Sequence, residues 1–260
     1  MTYRIEISGK GGVGKTTFSA LTVRYLAGEV GRAVLAVDAD PNANLGTLLG
    51  LDVERSVADL REETLEKKDA IPKGMSKDRF VELRIQQSIL ESTGFDLLTM
   101  GRPEGPGCYC FVNSLLRRYL ERVSDDYAYV VIDNEAGMEH LSRRTSGSVD
   151  LLLIVTEPTV VGADTVARIA KLAASLPIAV KRTAVVVNRV PAAGIAANVR
   201  QRLEATGLDI VAEIPLDEGI AASSSAGDSL LELPEDNPML AAVRALLARE
   251  MGVEAAASKM

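Results

Sequence analysis

The chain has 260 residues, of which 47% are hydrophobic and 25% charged, and its formal net charge is -7. This length suits one large α/β domain, and the acidic balance argues against broad electrostatic binding to nucleic acid or to an anionic membrane. Because the N-terminus lacks a signal-peptide pattern and no apolar run reaches the thickness of a bilayer, we expect a cytoplasmic protein without a membrane span.

Short apolar runs alternate with longer amphipathic stretches along the chain. The predicted strands are YRIEIS, AVLAVD, FDLLTMG, YAYVVID, DLLLIVTE, TAVVVNRV and DIVAEIP. The predicted helices include TTFSALTVRYLAG, NSLLRRYLERVS, ADTVARIAKLAASL, AANVRQRLEATG and NPMLAAVRALLAREMG. This alternation predicts an α/β fold, with a mostly parallel sheet and helices on both faces. Residues 51–93 are dense in charge, and we expect a helical excursion there, at the edge of a single domain spanning residues 1–260.

A glycine-rich loop, GKGGVGKT at residues 9–16, follows the first predicted strand and opens the first predicted helix. It matches the phosphate-binding pattern G-x-x-x-x-G-K-[ST] at every fixed position, in the strand-to-helix context that the motif requires. In such a loop the backbone N–H groups converge on a phosphate, Lys15 reaches the β- and γ-phosphates, and the Thr16 hydroxyl ligates Mg²⁺. The predicted nucleotide contacts of this segment are Gly9, Lys10, Gly11, Gly12, Val13, Gly14, Lys15, Thr16 and Thr17.

Acidic residues end two further predicted strands. VLAVDADPNANL places Asp38 and Asp40 at the carboxyl end of the second strand, the edge where parallel sheets bind ligands. YAYVVIDNEAG ends its strand in Asp133, with Gly137 four residues later. This is the pattern of a Walker B strand and switch II, in which the carboxylate holds Mg²⁺ through water and the glycine amide contacts the γ-phosphate. We therefore predict a magnesium site at Thr16, Asp38 and Asp133, with ordinary turn and strand-ending acids as the alternative.

The stretch KGGVGKTT, with its additional early lysine, resembles the deviant Walker A motif of the ParA/MinD/nitrogenase-iron-protein class of dimeric ATPases. The resemblance implies that Lys10 crosses the dimer interface to the partner's nucleotide, and that Asp40, the aspartate before a proline, orients the attacking water. Lys10, Lys15 and Asp40 are thus the candidate catalytic residues. The class often has Asp-x-Pro-Ala-Gly after its Walker B strand, whereas this chain has Asp-Asn-Glu-Ala-Gly.

The base-binding side is indicated by two later segments. VVVNRVP lacks the Asn-Lys-x-Asp pattern that reads guanine, and its Asn188 matches the adenine-contacting asparagine of the class. EIPLDEG, with Pro215 and Asp217, resembles the loop that closes over the base. These segments favour ATP over GTP, although both also fit plain surface loops.

The two cysteines of the chain, Cys108 and Cys110, lie together in GPGCYC. Two thiolates make an incomplete site for a soft metal, but two chains that meet near a two-fold axis would supply four. A structural pair of buried thiols is the alternative interpretation.

The C-x-C pair, taken together with DNEAGMEH, resembles the nickel-insertion accessory ATPases of carbon monoxide dehydrogenase, the CooC type. The resemblance implies a homodimer that binds Ni²⁺ through Cys108 and Cys110 of each subunit. ATP hydrolysis would then assist maturation of carbon monoxide dehydrogenase or a related acetyl-CoA synthase enzyme. Thiolates also suit Zn²⁺, so both metals remain open. His140 belongs to the same switch II segment as Asp133 and Gly137, as a hydrogen-bonding or structural residue or as a metal ligand.

Two other functions fit the same motifs. A ParA/MinD-type positioning or partition ATPase would bind membrane or DNA. The C-terminal stretch is not a basic amphipathic helix, however, and the net charge does not support a DNA-binding surface. An iron–sulfur reductase would need a second cysteine after Asp133, where this chain has none.

Overall fold

A computed structural model of the protein describes residues 2–59, 72–101, 126–136, 148–176 and 179–252. Its strands are β1 (Tyr3–Gly9), β2 (Val34–Asp38), β3 (Leu90–Glu91), β4 (Phe95–Thr99), β5 (Tyr129–Asp133), β6 (Ser148–Thr156), β7 (Ala179–Val190) and β8 (Asp209–Pro215). Its helices are α1 (Lys15–Arg24), α2 (Leu45–Leu48), α3 (Lys77–Gln87), α4 (Val160–Ser175), α5 (Ala197–Glu204), α6 (Glu218–Ala226) and α7 (Pro238–Met251). A π-helical turn, Tyr25–Glu29, extends α1, and a 3-10 turn covers Leu230–Glu232.

The strands form one sheet in the order β3-β4-β2-β5-β1-β6-β7-β8. Every neighbouring pair is parallel except β3 with β4, which is antiparallel. All residues of β2 and β5 are buried, as expected for parallel strands that are covered on both sides. The predicted fold class, a mostly parallel sheet with helices on both faces, is confirmed.

Successive side chains along a strand point to opposite faces of the sheet, and each face has its own hydrophobic core. On one face, Ile5 and Ile7 of β1 pack in one cluster with Phe18 and Leu21 of α1 and with buried residues of α7. On the other face, one cluster lies under α3 around Leu35, Val37 and Ile85, and a second lies under α4 and α5 around Leu152, Val166 and Leu203. The scarcity of aromatic residues is thus compensated by aliphatic packing.

The structure describes part of the charged segment, residues 51–93. Helix α3 buries Phe80 and Ile85, and the latter packs on the sheet between β2 and β4. Strand β3, which the sequence did not indicate, has two residues and pairs antiparallel with β4. A pair of residues is too short to show the alternation by which strands are recognised. Residues 60–71 and the predicted helix NSLLRRYLERVS lie outside the described residues.

Helix α7 joins the C-terminal part of the chain to α1. Its residues Leu240, Val243 and Leu247 are fully buried in the core that α1 shares. At the rim, Arg244 Nε contacts Glu29 Oε1 at 2.6 Å. None of the helices in the described ranges is long and apolar enough to cross a membrane.

The start of α7 depends on Asn237, which is buried. Its Oδ1 accepts the N–H groups of Met239 and Leu240 at 3.0 and 3.1 Å, and its Nδ2 donates to Asp217 at 2.8 Å. Asn237 therefore caps α7 and joins it to the N-cap of α6, since Asp217 accepts the N–H of Ile220.

We expect Asn237→Ala to lower the free energy of unfolding by about 1–2 kcal/mol, the usual effect of removing an N-cap side chain. Equilibrium urea unfolding measures this loss. The control is Asp236→Ala, which alters the exposed neighbouring residue and should change stability by less than about 0.5 kcal/mol. Equal stability of wild type and Asn237→Ala would contradict the capping role.

Candidate nucleotide-binding site

Strands β1, β2 and β5 end side by side at the carboxyl edge of the sheet. The register places Asp38 of β2 opposite Asp133 of β5, and Asp133 opposite Ile7 of β1. The glycine-rich loop leaves β1 at this same edge. The sequence motifs from three separate parts of the chain therefore meet in one place, the ligand-binding edge of an open parallel sheet.

The glycine-rich loop has a backbone that side chains would obstruct. A Cβ atom on Gly9 would lie 2.1 Å from the carbonyl oxygen of Val155, so only glycine fits between β1 and β6. Gly14 is the N-cap of α1 and has φ of 92°, a left-handed conformation that favours glycine. No side chain of the described residues caps α1, so its first N–H groups remain directed toward a ligand.

Lys15, the first residue of α1, is 95% buried, and its Nζ donates to the carbonyl oxygen of Lys10 at 3.2 Å. Burial lowers its pKa, and the carboxylates of Asp133, Asp40 and Glu135 oppose this shift. The ammonium group has three donors, so two remain for phosphate oxygens after this contact. Lys10 itself is exposed at the rim of the loop.

Asp133 is fully buried below the loop. Its Oδ1 accepts a hydrogen bond from the Ser19 hydroxyl at 2.9 Å, while its Oδ2 has no hydrogen-bond partner among the described residues. Burial raises the pKa of Asp133 to about 6, against the opposing effects of the Thr16 and Ser19 hydroxyls and of the Lys15 charge. A buried carboxylate oxygen without a partner beside Thr16 is suited to interact with a bound cation or its water.

Asp38 has the same burial but a different set of contacts. Its Oδ2 accepts the N–H of Leu45 at 2.8 Å, and its Oδ1 accepts the N–H of Asp40 at 3.2 Å. Burial, followed by the charge of Asp133, raises its pKa to about 7. Because both oxygens hold backbone amides, Asp38 shapes the loop that carries Asp40 and retains spare lone pairs for a metal-bound water.

Asp40 lies higher on this edge and is partly exposed. Its Oδ1 accepts both the backbone N–H and the side-chain Nδ2 of Asn42, at 2.9 and 2.8 Å. Ala43, in the same turn, has φ of 52°.

The donor set at this edge fits Mg²⁺ bound mainly by phosphate and water. No group of three or more His, Cys, Asp or Glu side chains able to hold a metal occurs within the described ranges. Mg²⁺ commonly takes one or two protein oxygens, retains several waters and binds substrate phosphates. Thr16 would supply a protein oxygen to such a shell, and the unpartnered oxygen of Asp133 would accept a hydrogen bond from its water.

The predicted base-binding residues lie along the ends of β7 and β8. Asn188 is buried, its Nδ2 donates to the carbonyl oxygen of Val13 at 2.8 Å, and its Oδ1 accepts the N–H of Arg189. It therefore contacts the glycine-rich loop itself, a connection that its sequence position did not reveal. Pro215 ends β8, and Asp217 is the N-cap of α6, where its two oxygens hold Ile220 and Asn237.

Four predicted site residues lie outside the described residues. They are Cys108, Cys110, Gly137 and His140.

A family profile for the CobQ/CobB/MinD/ParA nucleotide-binding domain matches residues 5–230, which include most of β1, the glycine-rich loop, Asp38, Asp133 and Asn188. The chain belongs to this CobQ/CobB/MinD/ParA family. Relatives bear the names of ATP-binding proteins and of ATPases, and the protein is accordingly an ATP-binding P-loop ATPase.

Several relatives match most of this chain, among them the following two. An uncharacterized ATP-binding protein of Methanocaldococcus jannaschii is 43% identical over 237 residues, covering 90% of this chain and 92% of the relative. The carbon monoxide dehydrogenase accessory protein CooC of Rhodospirillum rubrum is 34% identical over 242 residues, covering 88% and 90%.

Solved structures of the family share the fold. The MinC:MinD cell division protein complex of Aquifex aeolicus matches with a TM-score of 0.71 at 23% identity, over 99% of both chains. The septum site-determining protein MinD of Pyrococcus horikoshii, complexed with Mg-ADP, matches with a TM-score of 0.69 at 22% identity, over 96% of both chains.

Sequence reasoning missed three buried polar residues at or beside this site. Ser19 reaches Asp133 from one turn into α1, and Asn134, the residue after Asp133, is buried with Glu6 at the junction of β5 and β1. A polar residue within an otherwise apolar buried strand, such as Glu6, was the available signal.

The buried carboxylates predict a pH dependence of stability in the absence of Mg²⁺ and nucleotide. The pKa of Asp133 in the folded protein, about 6, lies above the ordinary value of 3.8. Between these values the folded state holds more protons than the unfolded state, so this carboxyl makes stability fall as pH rises. Asp133→Asn removes the titration and keeps an acceptor for Ser19, so the variant should gain stability relative to wild type from pH ~4 to ~6.

Urea unfolding at a series of pH values in EDTA measures this difference, whose slope is at most about 1.4 kcal/mol per pH unit for one proton. Asp52→Asn, which changes an exposed carboxylate, is the control and should run parallel to wild type. Parallel curves for Asp133→Asn and wild type would show that Asp133 is charged throughout.

Proposed function

We propose that this ATPase is a nickel metallochaperone that assists maturation of carbon monoxide dehydrogenase or a related acetyl-CoA synthase enzyme. The observation that carries the proposal is the similarity to the CooC accessory protein over 88% of the chain. The pair Cys108 and Cys110 supports it, because two soft ligands in an ATPase of this family need a purpose beyond nucleotide binding.

In this proposal, the carboxyl edge of the sheet binds ATP. Lys15 and the free N–H groups of α1 hold the phosphates, and Asn188, Pro215 and Asp217 lie on the side of the base. Thr16 ligates Mg²⁺, with Asp38 and Asp133 beside its water shell. When bound, Mg²⁺ neutralises charge on the β- and γ-phosphates.

Hydrolysis uses groups at the open rim of the same edge. Asp40 orients the water that attacks the γ-phosphorus, and the bond to the β-phosphate oxygen breaks to release ADP and phosphate. Lys10, exposed at the rim, reaches the nucleotide of a second copy and stabilises charge on the transferred phosphoryl group. Gly137 contacts the γ-phosphate, and His140 takes part in the same switch.

The cargo site is formed by two copies of the chain. Cys108 and Cys110 of each subunit provide four thiolates to one Ni²⁺, with Zn²⁺ as a competitor for the same ligands. Closure of the dimer around ATP changes the distance between the two cysteine pairs, and this change couples hydrolysis to metal transfer.

Metal titration tests the proposal. We expect one Ni²⁺ per two chains, bound with dimer formation, when the stoichiometry and the molar mass are measured with and without ATP. The variant Cys108→Ala/Cys110→Ala should lose the metal and keep ATP hydrolysis. Lys15→Ala is the matched control, because it keeps the thiolates but removes the phosphate ligand, and its metal binding should no longer respond to ATP.

Unchanged metal binding by the double cysteine variant would contradict the metallochaperone. A ParA/MinD-type positioning ATPase, whose solved relatives share this fold, would then become the better explanation.

A further inference from the structure

A buried carboxyl group lies in the middle of β1, at Glu6. Its side chain is only 1% exposed, and its neighbours Ile5 and Ile7 are core residues of the opposite face. Burying a carboxyl group between strands is unfavourable unless hydrogen-bond donors meet it. No part of the nucleotide-binding loop requires an acid at this position.

Asn134 is one group that meets this carboxyl. It is the first residue after β5, is 2% exposed, and its backbone N–H donates to the carbonyl oxygen of Ile7 at 3.0 Å. Its Nδ2 lies 3.2 Å from the same carbonyl oxygen and 3.4 Å from Glu6 Oε2. Both neighbours are acceptors, so the amide is oriented with its NH₂ toward β1.

The residues that follow Asn134 lie over the glycine-rich loop. The Ala136 Cβ is 3.5 Å from the position that a Cβ would take on Gly11. The charge of Glu135 acts on the Lys15 ammonium, the group assigned to the β- and γ-phosphates. The contacts of Asn134 with β1 thus immediately precede the two residues, Glu135 and Ala136, that lie beside the glycine-rich loop.

We propose that Glu6 and Asn134 are positioning residues for ATP hydrolysis. Glu6 orients the amide of Asn134, and Asn134 in turn holds Glu135 and Ala136 against the glycine-rich loop, where the γ-phosphate distinguishes ATP from ADP. This inference rests on the proposed placement of the nucleotide at Lys15. It assigns a role to Asn134 and Glu135, which follow Asp133 in this chain at the positions where the class that it resembles often has x-Pro.

Steady-state ATP hydrolysis and ADP affinity, measured for four variants, test the pair. Asn134→Ala should lower kcat about tenfold to a hundredfold, the range that follows from misplacing a group near the reacting atoms. Its Kd for Mg-ADP should stay within about twofold of the wild-type value, because Lys15 and the amides of α1 are untouched. In Asn134→Ala, the ratio of the Kd values for ADP and for a non-hydrolysable ATP analogue should move toward one, because the variant no longer distinguishes the γ-phosphate.

Substitutions of Glu6 separate hydrogen bonding from charge. Glu6→Gln keeps an acceptor oxygen for Asn134 and should retain most of kcat, whereas Glu6→Leu should resemble Asn134→Ala. The double variant Glu6→Leu/Asn134→Ala should be no slower than either single variant. The effects of the two substitutions on kcat are not expected to add, because the two residues act through the same contact. Thr99→Val is the control for altering a buried strand, because its hydroxyl has no hydrogen-bond partner in the described residues.

Three outcomes would overturn the inference. The first is wild-type kcat in a folded Asn134→Ala, as judged by its thermal transition. The second is an equal loss of kcat and of ADP-binding sites, which indicates a smaller fraction of folded protein. The third is a Glu6→Gln variant as slow as Asn134→Ala. If wild type itself failed to bind Mg-ADP, the proposed nucleotide site would be wrong instead.

Discussion

The structure of this site depends on one constraint, which is that two carboxyl groups, Asp38 and Asp133, are buried opposite each other at the ends of adjacent parallel strands. Burial raises the pKa of both groups, the charge of Asp133 raises the pKa of Asp38 further, and the charge of Asp40 does the same for Asp133. Such an arrangement is unfavourable in the empty protein at neutral pH, and it becomes favourable when a cation and its water enter beside them. In the proposed site, Mg²⁺ bound with a nucleotide would offset this electrostatic cost.

Hydrogen bonds connect these two carboxyl groups and their surroundings to separate parts of the chain. Asp38 uses backbone amides to shape the loop of Asp40, and Asp133 uses Ser19 to contact α1. Asn188 connects the end of β7 to the glycine-rich loop through Val13. The elements that end at this edge of the sheet are therefore connected to one another by hydrogen bonds.

Much of this arrangement could be predicted from the sequence, because the relevant signals are local. The glycine-rich loop identifies Lys15 and Thr16 by spacing, and apolar runs ending in Asp38 and Asp133 identify strands whose ends share an edge. What could not be predicted depends on contacts between distant segments, such as Asn188 with Val13 or Asn237 with Asp217. The register between strands decides those contacts, and no local pattern encodes it. Strand β3 was not predicted for a different reason: it has two residues and is recognised as a strand by its pairing with β4.

Proton release on binding Mg-ADP tests the central claim most directly. Calorimetric titrations in buffers of different ionisation enthalpy measure this release. A pH of ~6.5 is suitable because carboxyl groups with raised pKa values are partly protonated there. Titration with ADP in the absence of Mg²⁺ provides the baseline. The account predicts that wild type releases protons when Mg-ADP binds, and that Asp133→Asn releases fewer under identical conditions. Equal proton release by the two proteins would mean that Asp133 is already charged in the empty site, and that its burial does not prepare it for the metal.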